Sequence, residues 1–348
     1  EFNMLPWWEW PKEFKIKNSK FLKSWIKTKS KKILIKKLIQ WHLDEQWKAI
    51  KKFAKLYNVK LIGDLPFYVS RDSSDVWSNK SLFSIFKNGK LIFQSGVPPD
   101  YFSSEGQLWG TPTYFWSKHK KTNFDWWRKR FKRQFELVDL LRFDHFRGLA
   151  GYWRVNGDSK TAICGKWINS PGKTLLNKLK YDLGTEYLPI IAEDLGVITP
   201  DVERLRKIFE LPGMKILQFA FDGNEDNPYL PKNIEGKNWV VYTGTHDNST
   251  SKSWWESLNN NSKKQIIDEY KFSENPSLSL IEIGMETEAN LFIAPIQDIL
   301  SLDDSSRLNI PGTTKNNWKW KLNQSLEEIE GKIRDYSDLG NNYGRIRK

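Results

Sequence analysis

Leu140-Leu141-Arg142-Phe143-Asp144-His145-Phe146-Arg147-Gly148 is the stretch on which the fold of this chain turns. It opens as an apolar run, with Val138 just ahead, and ends in charge. On a strand, successive side chains point to opposite faces, so Leu140, Arg142 and Asp144 share one face while Leu141 and Phe143 take the other. An arginine and an aspartate therefore meet at the tip of a buried strand. Beside a fixed guanidinium a carboxylate stays ionised, because an opposite charge within a few ångströms lowers its pKa. An ionised, oriented carboxylate at the C-terminal end of a strand is what a sugar-attacking nucleophile requires. An ordinary ion pair at a sheet edge would leave the same residue pattern.

Working outward, five more runs have this character. Val59 to Asp64 reads as a short strand ending in a carboxylate. Leu188 to Asp194 is apolar and ends in Glu193-Asp194. Gly213 to Phe221 and Trp239 to Thr245 are apolar, the second leading into His246-Asp247-Asn248, and Leu291 to Ile296 ends in Gln297-Asp298. Helical patterns lie between them. Ile33 to Tyr57 carries Trp47, Ile50, Ala54 and Tyr57 on one stripe, and Phe124 to Val138 is helical. Thr199-Pro200-Asp201 opens a helix with an N-cap, a first-position proline and a first-turn acid. A closing helix is predicted near Ser325 to Tyr336. Asp72 to Trp77, Gly96 to Pro112 and Arg307 to Trp320 read as loops, and loops as long as the second are usually functional.

Strands alternating with helices, with polar residues at the strands' C-terminal ends, predict an α/β fold. The pattern is that of a parallel (β/α) barrel, or TIM barrel, whose active sites lie on that face. A doubly wound open sheet would alternate in the same way, but no Gly-rich phosphate loop follows any strand. Without an internal repeat or linker, residues 1–348 are expected to form a single catalytic domain, with inserted loops over about 65–138.

Composition narrows the class. Hydrophobic residues at 39% and charged residues at 28% suit a globular chain that buries a large core. Eighteen tryptophans suit an enzyme whose sugar rings stack on flat apolar faces, although a large core uses them too. The net charge of +13 raises nucleic acid as a partner. The excess is densest before Lys60, on polar faces of helix-like segments, with no recognition motif, so it reads as solvated surface. Cys164 is the only cysteine, which excludes an intrachain disulfide and suits a reducing compartment, the cytoplasm. Neither a signal peptide nor a membrane-spanning run is evident.

Three acids now stand at three strand ends: Asp144, Glu193 and Asp247. Retaining cleavage of a glycosidic bond needs two carboxyls about 5–5.5 Å apart. Neighbouring strands lie roughly 4.8 Å apart, so acids at adjacent tips meet that geometry. Glu193 has the longer reach and an apolar lead-in, Ile190-Ile191-Ala192, which should raise its pKa and keep it protonated. Asp247 could bind sugar hydroxyls and help distort the ring. His246 could donate to a sugar hydroxyl; His145, His42 and His119 read as packed or surface residues. No metal-ligand spacing, no Gly-x-Ser-x-Gly and no cofactor motif is present.

Seven segments then carry a resemblance. They are Gly63-Asp64-Leu-Pro, Gly96-Val-Pro-Pro-Asp-Tyr-Phe, Arg142-Phe-Asp-His-Phe-Arg-Gly, Ala192-Glu-Asp-Leu-Gly-Val-Ile-Thr-Pro, Leu211-Pro-Gly-Met-Lys, Thr243-Gly-Thr-His-Asp-Asn and Asn317-Trp-Lys-Trp. From about Trp7 to about Leu322, and in order, they resemble the 4-alpha-glucanotransferase (amylomaltase, or disproportionating enzyme) family of the α-amylase clan, glycoside hydrolase family 77. The resemblance implies a glycosidase-type (β/α)8 barrel with Asp144 as nucleophile, Glu193 as acid/base and Asp247 as transition-state stabiliser. It further implies that Arg142 and His246 hold the donor sugar. Asp64, Asp100, Tyr101, Phe102, Gln107, Trp109, Phe219 and Asn317 are the further substrate contacts expected, with Gly96–Pro112 as a flap over the acceptor side. Family proteins begin well before this chain, with a segment supplying the first two barrel strands and an acceptor-side tyrosine, so the six strands here would be the third to the eighth.

The expected activity is transfer of α-1,4-glucan segments to the 4-hydroxyl of another glucan or glucose by double displacement, without cofactor or metal. The expected partners are maltooligosaccharides and α-1,4-glucans, and neither nucleic acid nor membrane. A hydrolase of the same clan and an inactive glucan-binding fragment are the alternatives. Tyr101, Phe102 and Trp109 favour transfer, because aromatic groups there could hold an acceptor sugar and exclude water.

Overall fold

The computed structural model describes residues 2–99 and 103–345. By its contacts the chain divides into two compact units, Glu1–Leu211 and Pro212–Lys348. Among the described residues no helix is long and apolar enough to cross a membrane.

Among its described residues the first unit has seven strands in two sheets. They are β1 (Ile62–Pro66), β2 (Phe93–Val97), β3 (Gln107–Pro112), β4 (Leu140–Asp144), β5 (Gly151–Asn156), β6 (Gly165–Asn169) and β7 (Ile190–Ala192). A parallel sheet has the order β1-β4-β7, and an antiparallel one the order β3-β2-β5-β6. In β4 the predicted alternation holds: Leu141 and Phe143 are wholly buried, while Leu140, Arg142 and Asp144 are not. The buried face packs into an aromatic core. Phe143 stacks on Phe131 of the helix Asp125–Leu137 at 5.4 Å, and Phe67 stacks on Trp127 of the same helix at 5.7 Å. One face of a five-residue strand thus anchors the core and leaves the other for polar groups.

The second unit has β8 (Gly213–Ile216), β9 (Trp239–Tyr242) and β10 (Leu291–Ile293), parallel in the order β10-β9-β8. Val240 and Val241 of β9 are wholly buried, and Val241 joins Leu217, Ile266 and Leu280 in a core of this unit's own. Each of the six predicted runs contains a parallel strand, three in each unit, but the run from Gly213 to Phe221 is a strand only to Ile216, and Leu217–Phe219 is a 3-10 turn.

Four further expectations change. Gly96–Pro112 is not wholly irregular: Gly96 and Val97 end β2, and Gln107–Pro112 is β3. β3 folds back antiparallel on β2, Gly96 standing opposite Leu108, and the other side of β2 pairs with distant β5, Gly96 standing opposite Trp153. Asp72–Trp77 includes the start of a short helix, Ser74–Ser78, whose first turn is capped by the Ser73 hydroxyl accepting from Val76 N–H. The strand read as Val59–Asp64 runs from Ile62 to Pro66, so Asp64 lies inside it rather than at its end. Finally, Ile50 and Tyr57, on the predicted inner stripe of the helix Ser30–Leu56, are exposed. That helix is tied to the rest by polar contacts on one side. Trp47 Nε1 donates to the Leu137 carbonyl at 2.7 Å, and Lys51 Nζ to the Val138 carbonyl at 3.0 Å.

Candidate active site

In the first unit, β1, β4 and β7 bring four predicted residues to one place. Register pairs Asp64 with Arg142 and Phe143 with Ala192, so Asp144 and Glu193 are the next positions on adjacent strands. The backbone pairing continues past the strand ends: Glu193 N–H donates to the Phe143 carbonyl, and Phe146 N–H to the Glu193 carbonyl, both at 3.1 Å.

Arg142 joins two carboxylates. Its Nε donates to Asp64 Oδ1 at 2.8 Å and its Nη2 to Asp144 Oδ1 at 3.0 Å. Burial works against the guanidinium charge, but the two aspartates outweigh it and its pKa is raised. A doubly paired guanidinium fixes the Asp144 carboxylate in orientation, as the sequence pattern predicts.

Glu193 is different. Ile190, Ile191 and Ala192, leading into it, are at most 1% exposed. Burial first, and the Asp144 charge second, push its pKa up to about 7, against opposing backbone hydrogen bonds and Arg142. The hydrogen bonds are from His145 N–H to Oε2 at 2.7 Å and from Leu195 N–H to Oε1 at 3.0 Å. Near neutrality this group can both give and take a proton, whereas Asp144 beside Arg142 is placed to attack. Next to it Asp194 forms a buried ion pair with Arg206 at 3.2 Å, tying the tip of β7 to the helix Pro200–Ile208.

Gln107 and Trp109 stand on β3, Trp109 Nε1 donating to Gln107 Oε1 at 3.3 Å. Trp109 is 38% exposed, so part of a large ring remains open to a sugar. Asp100, Tyr101 and Phe102 lie outside the described residues.

In the second unit, Asp247 and His246 follow β9. Asn309 Nδ2 donates to Asp247 Oδ1 at 2.6 Å, and Arg307 Nη2 to the Asp247 carbonyl at 2.6 Å. His246 Nε2 is 3.4 Å from Asp247 Oδ1, and its ring lies 5.1 Å from that of Trp318. Phe219 is half-exposed on a single 3-10 turn, edge-on to Tyr229 at 5.6 Å. Asn317 is directed to its own loop, donating to the Thr313 carbonyl at 3.0 Å.

Sequence reasoning missed Arg307, Asn309 and Trp318 as partners of Asp247 and His246. The signal available was the irregular Arg307–Trp320 segment itself, whose Pro and Gly mark it as a loop but do not say what it touches. It also missed the contact of His145 with Glu193, because His145 leaves the strand in a left-handed conformation.

The profile of the 4-alpha-glucanotransferase family matches residues 1–326. The chain is 42% identical over 344 residues to a 4-alpha-glucanotransferase of Synechocystis sp., covering 97% of this chain and 67% of that one. It is 40% identical over 348 residues to the chloroplastic/amyloplastic 4-alpha-glucanotransferase of Solanum tuberosum, covering 99% of this chain and 60% of that one. The chain thus spans about 60–67% of the length of these relatives. Among solved structures it matches the amylomaltase from Streptococcus agalactiae in complex with acarbose. That match has a TM-score of 0.93 and 34% identity, and covers 99% of this chain and 70% of that one.

Proposed function

The chain belongs to the 4-alpha-glucanotransferase family, and from that premise we propose that it transfers segments of α-1,4-glucans to the 4-hydroxyl of another glucan or of glucose. The observation that carries this is the pair of carboxyls at adjacent strand tips, Asp144 held by Arg142 and Glu193 holding a proton near neutral pH. In the first step Asp144 attacks the anomeric carbon while Glu193 protonates the departing glycosidic oxygen, leaving a glycosyl-enzyme. In the second, Glu193, now a carboxylate, removes the proton from an acceptor's 4-hydroxyl, which displaces Asp144 with net retention. Arg142 and Asp64 position the nucleophile. We assign Trp109 and Gln107, and from the sequence Asp100, Tyr101 and Phe102, to acceptor contacts. We assign Asp247 to transition-state stabilisation and His246, Phe219 and Asn317 to substrate contacts.

Maltotriose is the test. Transfer yields glucose together with maltopentaose and longer chains, whereas hydrolysis yields glucose and maltose alone, and the latter result would overturn the reading. With Glu193→Gln and an α-glucosyl fluoride, whose leaving group needs no protonation, a glycosyl adduct should accumulate on the Asp144 peptide. An absent adduct in a variant that no longer turns over would remove Glu193 from the acid/base role.

A further inference from the structure

His145 takes no part in the chemistry above, yet it sits between two groups that do. It follows Asp144 and has φ 56° and ψ 50°, a left-handed conformation that a residue with a Cβ adopts at a cost. The turn aims its N–H at Glu193 Oε2, 2.7 Å away, rather than along the strand. Its ring is enclosed, with Trp109 edge-on at 5.0 Å, Tyr68 at 5.7 Å and Phe67 at 6.1 Å. Among the described residues, the buried Nε2 has no hydrogen-bond partner. An imidazole retained where it makes no hydrogen bond through Nε2, on a backbone it does not favour, is held by the shape of its surroundings.

We propose that His145 is a positioning residue that couples the Trp109 strand to the acid/base. Its ring, wedged against Trp109 and Tyr68, sets the turn, and the turn presents its N–H to Glu193. A glucan seated on Trp109 would press on that ring and firm the hydrogen bond, so that Glu193 is aligned best when an acceptor is present. This rests on the transferase reading and adds to it a structural reason for acceptor sugars to be preferred over water.

The charged and titratable groups facing Glu193 are Asp144 and Arg142 on β4, with Asp64 on β1 reached through Arg142; Tyr68 and Arg147 face His145. A hydrogen bond donated to a carboxylate favours its charged form, so losing it raises the Glu193 pKa.

The test uses the full chain labelled with 13C-glutamate, the Glu193 carboxyl signal being assigned with Glu193→Gln and followed through pH. This readout needs no activity. His145→Gly frees the backbone, and His145→Asn keeps a left-handed-tolerant residue while deleting the ring. Both should move the Glu193 titration up, by about one pH unit where the hydrogen bond is lost entirely. Trp109→Ala should move it the same way, and the double variant no further than the larger single effect. In maltotriose assays His145→Asn should lower kcat at least about 10-fold, change KM less than about 3-fold, and raise the share of hydrolysis. A Glu193 titration unmoved in both His145 variants, or additive effects of His145 and Trp109, would overturn the inference. An inactive wild type with the titration shifted as expected would instead count against the transferase reading alone. Should His145→Gly fail to fold, His145→Asn decides.

Discussion

Replacing Glu193 by glutamine separates what this residue does for catalysis from what it does to stability. The folded chain raises its pKa from the ordinary 4.5 to about 7, chiefly by burial. A raised folded pKa means that the fold prefers the protonated form. The associated stability is complete below about pH 4.5 and is lost as pH rises through about 7. The gap between about 7 and 4.5, at about 1.36 kcal/mol per pH unit, comes to about 3 kcal/mol. Glutamine cannot ionise and does not suffer that loss. It does place an amide donor where His145 or Leu195 N–H already donates, at a cost of about 1–3 kcal/mol that is independent of pH.

The variant should therefore be less stable than wild type at pH 4 and closer to it, or above it, at pH 8. The stability difference between the two proteins should change by about 3 kcal/mol across that range. Urea unfolding at half-unit pH intervals, with a common slope, measures it. Parallel stability curves for the two proteins would refute the argument, because they would mean that Glu193 titrates alike in the folded and unfolded chain. On the proposed mechanism the same pKa should set the basic limb of kcat/KM near pH 7 in the wild type, since the first step needs Glu193 protonated.

Asp144→Ala should lower transfer at least about 10³-fold while the unfolding midpoint changes little, because it removes the attacking group from a half-exposed site rather than core volume; retention of a tenth of wild-type activity would remove Asp144 from the nucleophile's role. Gly148→Ala should do the reverse. A Cβ there would fall 2.6 Å from Cδ1 of the wholly buried Phe67, and overpacking of that kind costs about 1–3 kcal/mol, read as a lowered urea midpoint. Unchanged stability would show that the Phe67 ring can yield.

What was legible in the sequence was what short-range pattern determines. Leu141 and Phe143 alternate with Arg142 and Asp144, so burial of one face follows from period alone, and the ion pair follows from sharing the other. The Ile190-Ile191-Ala192 lead-in likewise announces a desolvated Glu193. What depended on distant pairing was not legible. Gly96 lies between Leu108 on one side and Trp153, 57 positions on, on the other, and Pro98 and Pro99 nearby argue only for irregularity. Asn309 and Arg307 reach Asp247 across some sixty residues of chain, and the sequence around them says no more than loop. His145 is a third kind of case. A non-glycine residue in the left-handed region carries no compositional mark, so a turn that directs an N–H at Glu193 looks in sequence like one more strand residue.

The arrangement also decides which carboxyl keeps the proton. Three carboxyls, Asp64, Asp144 and Glu193, cluster around the single guanidinium of Arg142. Two of them hydrogen-bond to it and one does not. Were Glu193 also ionised, three negative charges would share one positive charge in a partly desolvated site, and the least compensated would bear the cost. Glu193 is that group: it has two backbone donors but, among the described residues, no cation in contact, with an apolar strand behind it and the Asp144 charge in front. On the proposed mechanism, attack by Asp144 changes the balance. Once Asp144 is esterified its charge is gone, the second of the two causes that hold the Glu193 pKa up disappears, and Glu193 becomes more acidic as the mechanism requires it to turn from acid into base. The proposed nucleophile's own reaction would thus reset its partner, and a glycosyl adduct trapped on Asp144 should show Glu193 titrating below about 7, the value it has in the free chain.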